Sequence, residues 1–263
     1  ILISLEGKCP MKISFTKNQY ISAASVLTML LAWKVLAVLI DSAFILPHPE
    51  DTLVTVLKLF TDAGFLAVAG TTILRGIIGF VISGILGMGV GILAGISPGF
   101  NAFLTPVLVT IRSVPVISLI LLALIWFSPN SVPVFIAMLT MFPFIVTNVS
   151  DGIGSVDPDL IEMARMYRVP GGRIITEVYI PAIVPFIISG ASSAMGIGWR
   201  AIIIGEVLSQ PVYGIGTRMQ EAQTFLNVDA LIAWTLIAVL ISYGFEKLIR
   251  LGERKIVVWR VRS

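Results

Sequence analysis

IEMARMYRVPGGRIITEVYIP, residues 161–181, interrupts a greasy chain with charges, a Pro-Gly-Gly step and an apolar restart at Pro181. Around it the composition is that of a protein at home in hydrocarbon. Of 263 residues, 57% are hydrophobic and 13% charged, against roughly 45–50% and about 25% in a soluble domain. Mean hydropathy is +0.98. A helix crossing a bilayer needs about 20 mostly apolar residues, and much of this chain meets that need. The stretch at 161–181 therefore shows what the chain offers to water.

Working outward, six runs qualify as spans: roughly 20–41, 70–96, 104–127 with a kink at Pro115, 131–149 with Pro143 inside, 182–208 and 228–249. They read as helices because backbone groups in hydrocarbon must be bonded within their own segment. Glycine and proline are tolerated inside such helices. No linker, low-complexity tract or repeat divides them. The reading is an all-α membrane domain over 20–251, flanked by an N-terminal tail at 1–19 and a basic C-terminal tail at 252–263. Met11 reads as a start, which makes residues 1–10 an extension; no small-residue cleavage site follows to make a signal peptide. The single cysteine, Cys9, excludes an internal disulfide framework.

Lys and Arg set the orientation. With the N-terminus inside, twelve of the 18 basic residues fall on the inner side, in three groups at 8–17, 165–173 and 247–262. Arg112 lies near the inner boundary, and only Lys58 and Arg218 lie outside. Both termini and the 161–181 stretch are thus expected in the cytoplasm. The same asymmetry accounts for the basic balance, so nucleic acid is not an expected partner.

Within the stretch, Asp157 and Pro158 read as N-cap and first helical residue. Asp159 and Glu162 follow in the first turns, where the helix dipole favours anions. Leu160, Met163, Ala164 and Tyr167 recur at the spacing of one apolar stripe. Pro170 disfavours helix at Val169, and Gly171-Gly172 permits a sharp turn. A second short helix then places Ile174, Ile175 and Val178 on one side, with Arg173 and Glu177 as an i, i+4 pair. Physics alone leaves two readings open: an ordered loop packed on its own bundle, or a docking element.

Glu162-Met163-Ala164 followed by Val178-Tyr179-Ile180-Pro181 resembles the EAA loop of ABC importer inner-membrane permeases. The family pattern runs Glu-Ala-Ala, three residues, Gly, nine residues, Ile-x-Leu-Pro, and Glu162 to Pro181 keeps its separation of nineteen. Met163 departs from the second-position Ala. Arg168 stands where the family has Gly, and Pro170-Gly171-Gly172 is expected to supply that turn. ILPHPEDTLVTVLKLF at 45–60, TTILRGIIGFVISGILGMGVGILAGIS at 71–97, LTPVLVTIRSVPVISLILLALIWF at 104–127 and GWRAIIIGEVLSQPVYGIGTRMQEA at 198–222 are similar to the nitrate/sulfonate/taurine branch. The likeness covers about residues 25–255.

It implies a type I importer permease fold in the inner membrane. It also implies cytoplasmic ATP-binding subunits, an external solute-binding protein, a permease homodimer and alternating access. Docking on the ATPase would fall to Glu162, Met163, Ala164, Tyr167, Arg168, Pro170 and Gly171. The branch implies a small anion, with a vitamin precursor of the thiamine-pyrimidine type as the other substrate class. No cofactor is expected in this chain, which has no G-x-x-x-x-G-K-[ST] phosphate loop, no H-E-x-x-H and no Cys/His ligand cluster. His48 is more simply a solvated side chain than a ligand. The chain is expected to be a transport subunit and not an enzyme.

Charges inside spans are costly and face a bundle interior or a wet path. Trp199, Arg200, Glu206 and Arg75 are the candidates for a translocation path; the competing reading pairs Arg200 with Glu206 or with neighbouring helices. Lys34 is expected to snorkel. Gly87, Gly91 and Gly95, and the slim run Gly190, Ser193, Ala194, Gly196 and Gly198, read as close-packing faces. Asp41, Glu50, Asp51 and Asp62 form an acidic outer region that either docks the binding protein or is merely solvated. A secondary transporter or channel is the rival class, and Glu206 would be its single candidate for ion coupling.

Overall fold

Eleven α-helices and one short π-helical stretch make up the described part of the chain, residues 17–42 and 44–256 of a computed structural model. Residues 1–16 and 257–263, with Cys9 and most of both expected tails, lie outside the described residues. The helices are α1 (Lys17–Ile40), α2 (Pro49–Thr61), α3 (Phe65–Ile96), α4 (Pro98–Ser113), α5 (Val116–Trp126) and α6 (Val132–Gly154). They continue as α7 (Pro158–Met166), α8 (Gly171–Ile174), the π-helical stretch Ile175–Tyr179, α9 (Ile180–Ser209), α10 (Ile215–Thr224) and α11 (Val228–Ile256).

Among the described residues, four helices are long and apolar enough to cross a membrane: α3, α6, the continuous rod Gly171–Ser209, and α11. The expected third span is not one kinked helix. Pro115 cannot donate a backbone bond and disfavours helix at the residue before it, so α4 stops at Ser113 and α5 restarts at Val116 with a bend of 94°. Counted as one crossing, that pair makes a fifth span; the apolar part of α1, Ala24–Ile40, is shorter. α4 also begins earlier than read, because the Ser97 side chain caps it by accepting from Phe100 N–H at 3.3 Å.

Three helices form the packed centre. A Cβ on Gly79, Gly87, Gly91 or Gly95 of α3 would come within 2.7–2.9 Å of Ala137, Ile145, Val149 or Ile153 of α6. The two sets rise together, so α3 and α6 run parallel with their backbones nearly touching. On α9, Gly190, Gly198 and Gly205 meet Asn148, Met141 and Pro133 of α6 in descending order, so α9 runs antiparallel to it. The glycine faces therefore pack within one chain, where close approach lets many weak dispersion contacts add up. Gly196 has open space where a side chain would be, and Ser193 is exposed. Those two face outward from the slim run.

α11 closes one side of this trio. Trp199 of α9 is buried, donates Nε1–H to Ala238 O at 3.0 Å and packs on Phe245 at 5.5 Å between ring centroids. α2 lies across α11, and Phe65 stacks on Trp234 at 6.0 Å. The chain entering α2 is tied back to α1 by Trp33 Nε1–H donating to Pro47 O at 3.1 Å.

Candidate functional site

α7 and the start of the rod that follows it lie at one end of the bundle. Asp157 caps α7 as read, its Oδ1 accepting from Asp159 N–H at 2.9 Å. The helix ends in a Schellman motif: Arg168 N–H donates to Arg165 O at 2.9 Å and Val169 N–H to Ala164 O at 3.0 Å. Arg168 itself takes the left-handed conformation, φ 55°. The expected turn at Pro170-Gly171-Gly172 is thus corrected. The reversal is made one step earlier, at Arg168, and the two glycines sit in the first turn of α8 with ordinary backbone. α8 is also no separate second helix. It runs through the π-helical stretch into α9 as one rod of 39 residues. The widening falls just before Pro181, and Ile180 N–H bonds to Ile175 O five residues back. A proline at that position has no N–H to give and crowds the carbonyl four residues before it, and a wider turn relieves that crowding.

The apolar stripe of α7 is bare. Ile161 is the buried residue of this helix, while Leu160, Met163, Met166 and Tyr167 are exposed, Tyr167 at 80%. Glu162, Arg165 and Arg168 are exposed beside them, and Ala164 is half-buried. Pro170 and Gly171 lie on the surface of the adjoining turn. Arg173 pairs with Glu177 at 3.4 Å in solvent, the spacing that the sequence predicts.

The four intramembrane candidates do not form one constellation. Arg200 is exposed and its Nε–H donates to Gly196 O at 3.3 Å. Among the described residues no carboxylate pairs with it. It lines an open groove between α9 and α11, which holds two adjoining cavities of about 420 and 600 Å³. Ser192, Ser193, Gly196, Ser242 and the ion pair Glu246–Arg250, at 2.6 Å, share that groove. Trp199 touches its edge but is committed to α11.

Arg75 and Glu206 are elsewhere and sealed. Six residues separate Glu206 from Arg200, which puts the carboxylate on the other side of α9, fully buried. Arg75 Nη1 meets Glu206 Oε1 at 2.5 Å and also donates to Tyr213 O at 2.6 Å, while Nη2 reaches Asn130 Oδ1 at 3.3 Å. Glu206 further accepts from Thr72 Oγ1 at 3.0 Å and from Gly216 N–H at 2.9 Å. Reading these two residues as path lining is revised accordingly: they are closed into a junction, and Arg200 has no share in it. Sequence reasoning missed Thr72 and Asn130. Thr72 and Arg75 stand three apart on one face of α3, which is the signal that was available.

The acidic residues around α2 are Asp41, Glu50, Asp51 and Asp62. Lys34 Nζ holds Glu50 Oε1 at 2.6 Å, so Lys34 is an ion-pair partner. That hydrogen bond holds the Glu50 carboxyl below its ordinary value. His48 precedes α2 with no side-chain cap bond. Among the described residues, no three His, Cys, Asp or Glu side chains gather as a metal site.

Residues 87–258 match the family described as "Binding-protein-dependent transport system inner membrane component". The chain belongs to that family. It is an ABC transporter permease subunit, of a family that works with ATP-binding subunits and solute-binding proteins. A Bacillus subtilis (strain 168) permease named for aliphatic sulfonates transport, SsuC, is 30% identical over 231 residues, covering 87% of this chain and 83% of its own length. The taurine transport system permease TauC of Escherichia coli (strain K12) is 26% identical over 236 residues, covering 86% and 84%. The bicarbonate transport system permease CmpB of Synechococcus elongatus is 31% identical over a shorter 145 residues, covering 55% and 52%. Among solved structures, an amino acid ABC transporter crystallised with histidines superposes with a TM-score of 0.60 at 18% identity, covering 78% of this chain and 97% of that one. An inward-facing MetNI methionine transporter gives 0.56 at 16%, covering 76% and 100%. At these identities the structures speak for the permease fold alone.

Proposed function

We propose that this chain forms the translocation path of an ATP-driven importer for a small anion of the sulfonate, taurine or bicarbonate kind. Two copies enclose the path, an external binding protein delivers the solute, and both termini lie in the cytoplasm with α7. ATP-binding subunits grip α7, with Glu162, Met163, Ala164, Tyr167, Arg168, Pro170 and Gly171 as the contact region. Arg200 lines the path and supplies its fixed positive charge.

The observation that carries this reading is the uncovered apolar stripe on α7. A helix at the cytoplasmic end that shows Met163, Met166 and Tyr167 to water gains by burying them against a partner, at about 25 cal/mol per Å² of apolar surface. Movement of the partner then biases the permease only as far as its contacts differ between the two states. The names of the sulfonate, taurine and bicarbonate relatives support the anion class, and the unpaired Arg200 agrees with it. Glu206, the one residue that a proton- or sodium-coupled transporter would use, is already engaged by Arg75, Thr72 and Gly216.

Purification from native membranes in mild detergent tests the assignment. An ATP-binding chain is expected to come with the wild-type permease and to be lost with Glu162→Lys, while the permease itself still inserts. Recovery of the same complex from that variant removes α7 from the docking role. Recovery of the wild-type permease alone, with transport in vesicles independent of ATP, replaces the importer by a secondary transporter.

A further inference from the structure

The Arg75–Glu206 junction asks for a role that a translocation path does not give it. A buried ion pair is no guarantee of stability, because desolvation offsets much of its attraction. Within a membrane span it is a functional hypothesis by default. What distinguishes this one is what else it holds. Three backbone groups of the turn after α9 are bonded to its side chains. Tyr213 O accepts from Arg75, Gly216 N–H donates to Glu206, and Ile215 N–H donates to Thr72 Oγ1 at 2.9 Å. Buried backbone groups need such partners, and here the partners come from α3 and α9. The turn is pressed onto the carboxylate: a Cβ on Gly214 would stand 2.6 Å from the Glu206 carboxyl carbon, and one on Gly216 2.5 Å from Ile203 O. Thr217 Oγ1 adds a bond to Pro211 O at 3.0 Å. The tip that results is rigid but presented outward, with Val212 and Tyr213 exposed.

This junction lies at the far end of the rod that begins at Gly171. Thirty-nine residues at about 1.5 Å each carry one continuous helix from the α7 loop to the latch. α3 is joined to the same body twice, through its glycine face on α6 and through Thr72 and Arg75. We propose that Thr72, Arg75 and Glu206 are positioning residues that latch the 210–216 turn to α3 and α9, so that the outer mouth of the path moves with the coupling rod. The inference rests on the importer reading for its direction of motion, but the latch itself does not.

Two measurements on the full-length chain, assembled with its ATP-binding subunits, test it. Thr72→Val removes one hydroxyl, and with it the acceptor for Ile215 N–H, while leaving the ion pair in place. Hydrogen exchange reads the latch: the amides of Ile215 and Gly216 are slow in the wild type, and Thr72→Val speeds Ile215 about tenfold or more. The second measurement places a thiol at the tip with Tyr213→Cys in a Cys9→Ser background. A membrane-impermeant maleimide is then applied without nucleotide and after trapping with ATP and vanadate. Labelling rates in the two states differ about tenfold in that background and by less than about twofold once Thr72→Val or Glu206→Gln is added, with basal ATP hydrolysis preserved in Thr72→Val. Slow exchange at Ile215 in Thr72→Val overturns the latch. Equal labelling in the two states of the background, or an unchanged ratio in Thr72→Val, overturns its role in transmission. Failure of Glu206→Gln to assemble leaves Thr72→Val to decide. A permease that binds no ATP-binding subunit defeats the importer reading instead, and the exchange result still decides the latch.

Discussion

The two ends of the rod Gly171–Ser209 are built on opposite terms. At the far end every polar group of the Glu206 carboxylate is engaged, and the turn around it is packed to the point where glycine is the residue that fits. At the α7 end the loop is held by its own caps, and Leu160, Met163, Met166 and Tyr167 of its apolar stripe remain exposed. Backbone bonds organise both ends, and Ile161 and Ile174 are buried at the α7 end, but only the far end is tied down by side chains of α3 and α9 bonding the turn. One end is locally ordered and externally unfinished, while the other is satisfied from inside the chain.

The largest effect should come from breaking the locked end. Glu206→Ala leaves Arg75 buried without its carboxylate, and removing one member of such a pair costs about 3–5 kcal/mol. Thermal unfolding in detergent should drop steeply, and loss of both charges together should cost less than loss of one. A further step down is Gly91→Leu. A Cβ there would lie 2.8 Å from Val149 Cβ and 2.9 Å from Val146 O, so α3 and α6 must separate. Overpacking of this kind costs about 1–3 kcal/mol, read as a lower unfolding midpoint and weaker protection of α6 amides. At the unlocked end the sign reverses. Arg168→Gly relieves a left-handed arginine and should stabilise by about 1 kcal/mol, visible as slower exchange at Val169. The smallest effect belongs to Lys34–Glu50, an exposed pair. The Glu50 carboxyl is held below its ordinary value. Its contribution is therefore present above about pH 4.3, the unfolded carboxylate value, and is lost as pH falls through the depressed folded value. Glu50→Gln should remove that small acid-side dependence and leave neutral-pH behaviour unchanged.

Much of this was legible residue by residue. Asp157-Pro158 announced α7, and the structure caps it as read. Arg173–Glu177 paired at the predicted spacing. The glycines of α3 were recognised as a packing face, and the structure supplied the partner, α6. Other features were hidden because local pattern and tertiary demand disagreed. Gly171-Gly172 looks like a turn, yet Arg168 makes it, since the Schellman bonds at the end of α7 need a left-handed residue one position past the cap. Pro115 reads as a kink, but two helices at 94° result, because nothing in the local sequence sets the angle at which a helix restarts. Arg75 and Glu206 were grouped with Arg200 by the shared cost of a charge in hydrocarbon, and that cost does not say whether a charge is met by a partner or by a wet groove.

The sequence by itself determined the class of protein, the long apolar helices α3, α6, α9 and α11, the asymmetry of its basic residues and the loop that carries its family resemblance. These follow from hydrophobicity, periodicity and capping, which act over a few residues. Only the tertiary structure decided that Glu206 belongs to Arg75, that Arg200 is left open, and that α7 keeps a bare face. The 131 positions between Arg75 and Glu206 carry no local trace of their meeting. It depends on how α3 and α9 pack against α6, where glycine lets backbones approach and each contact depends on the others.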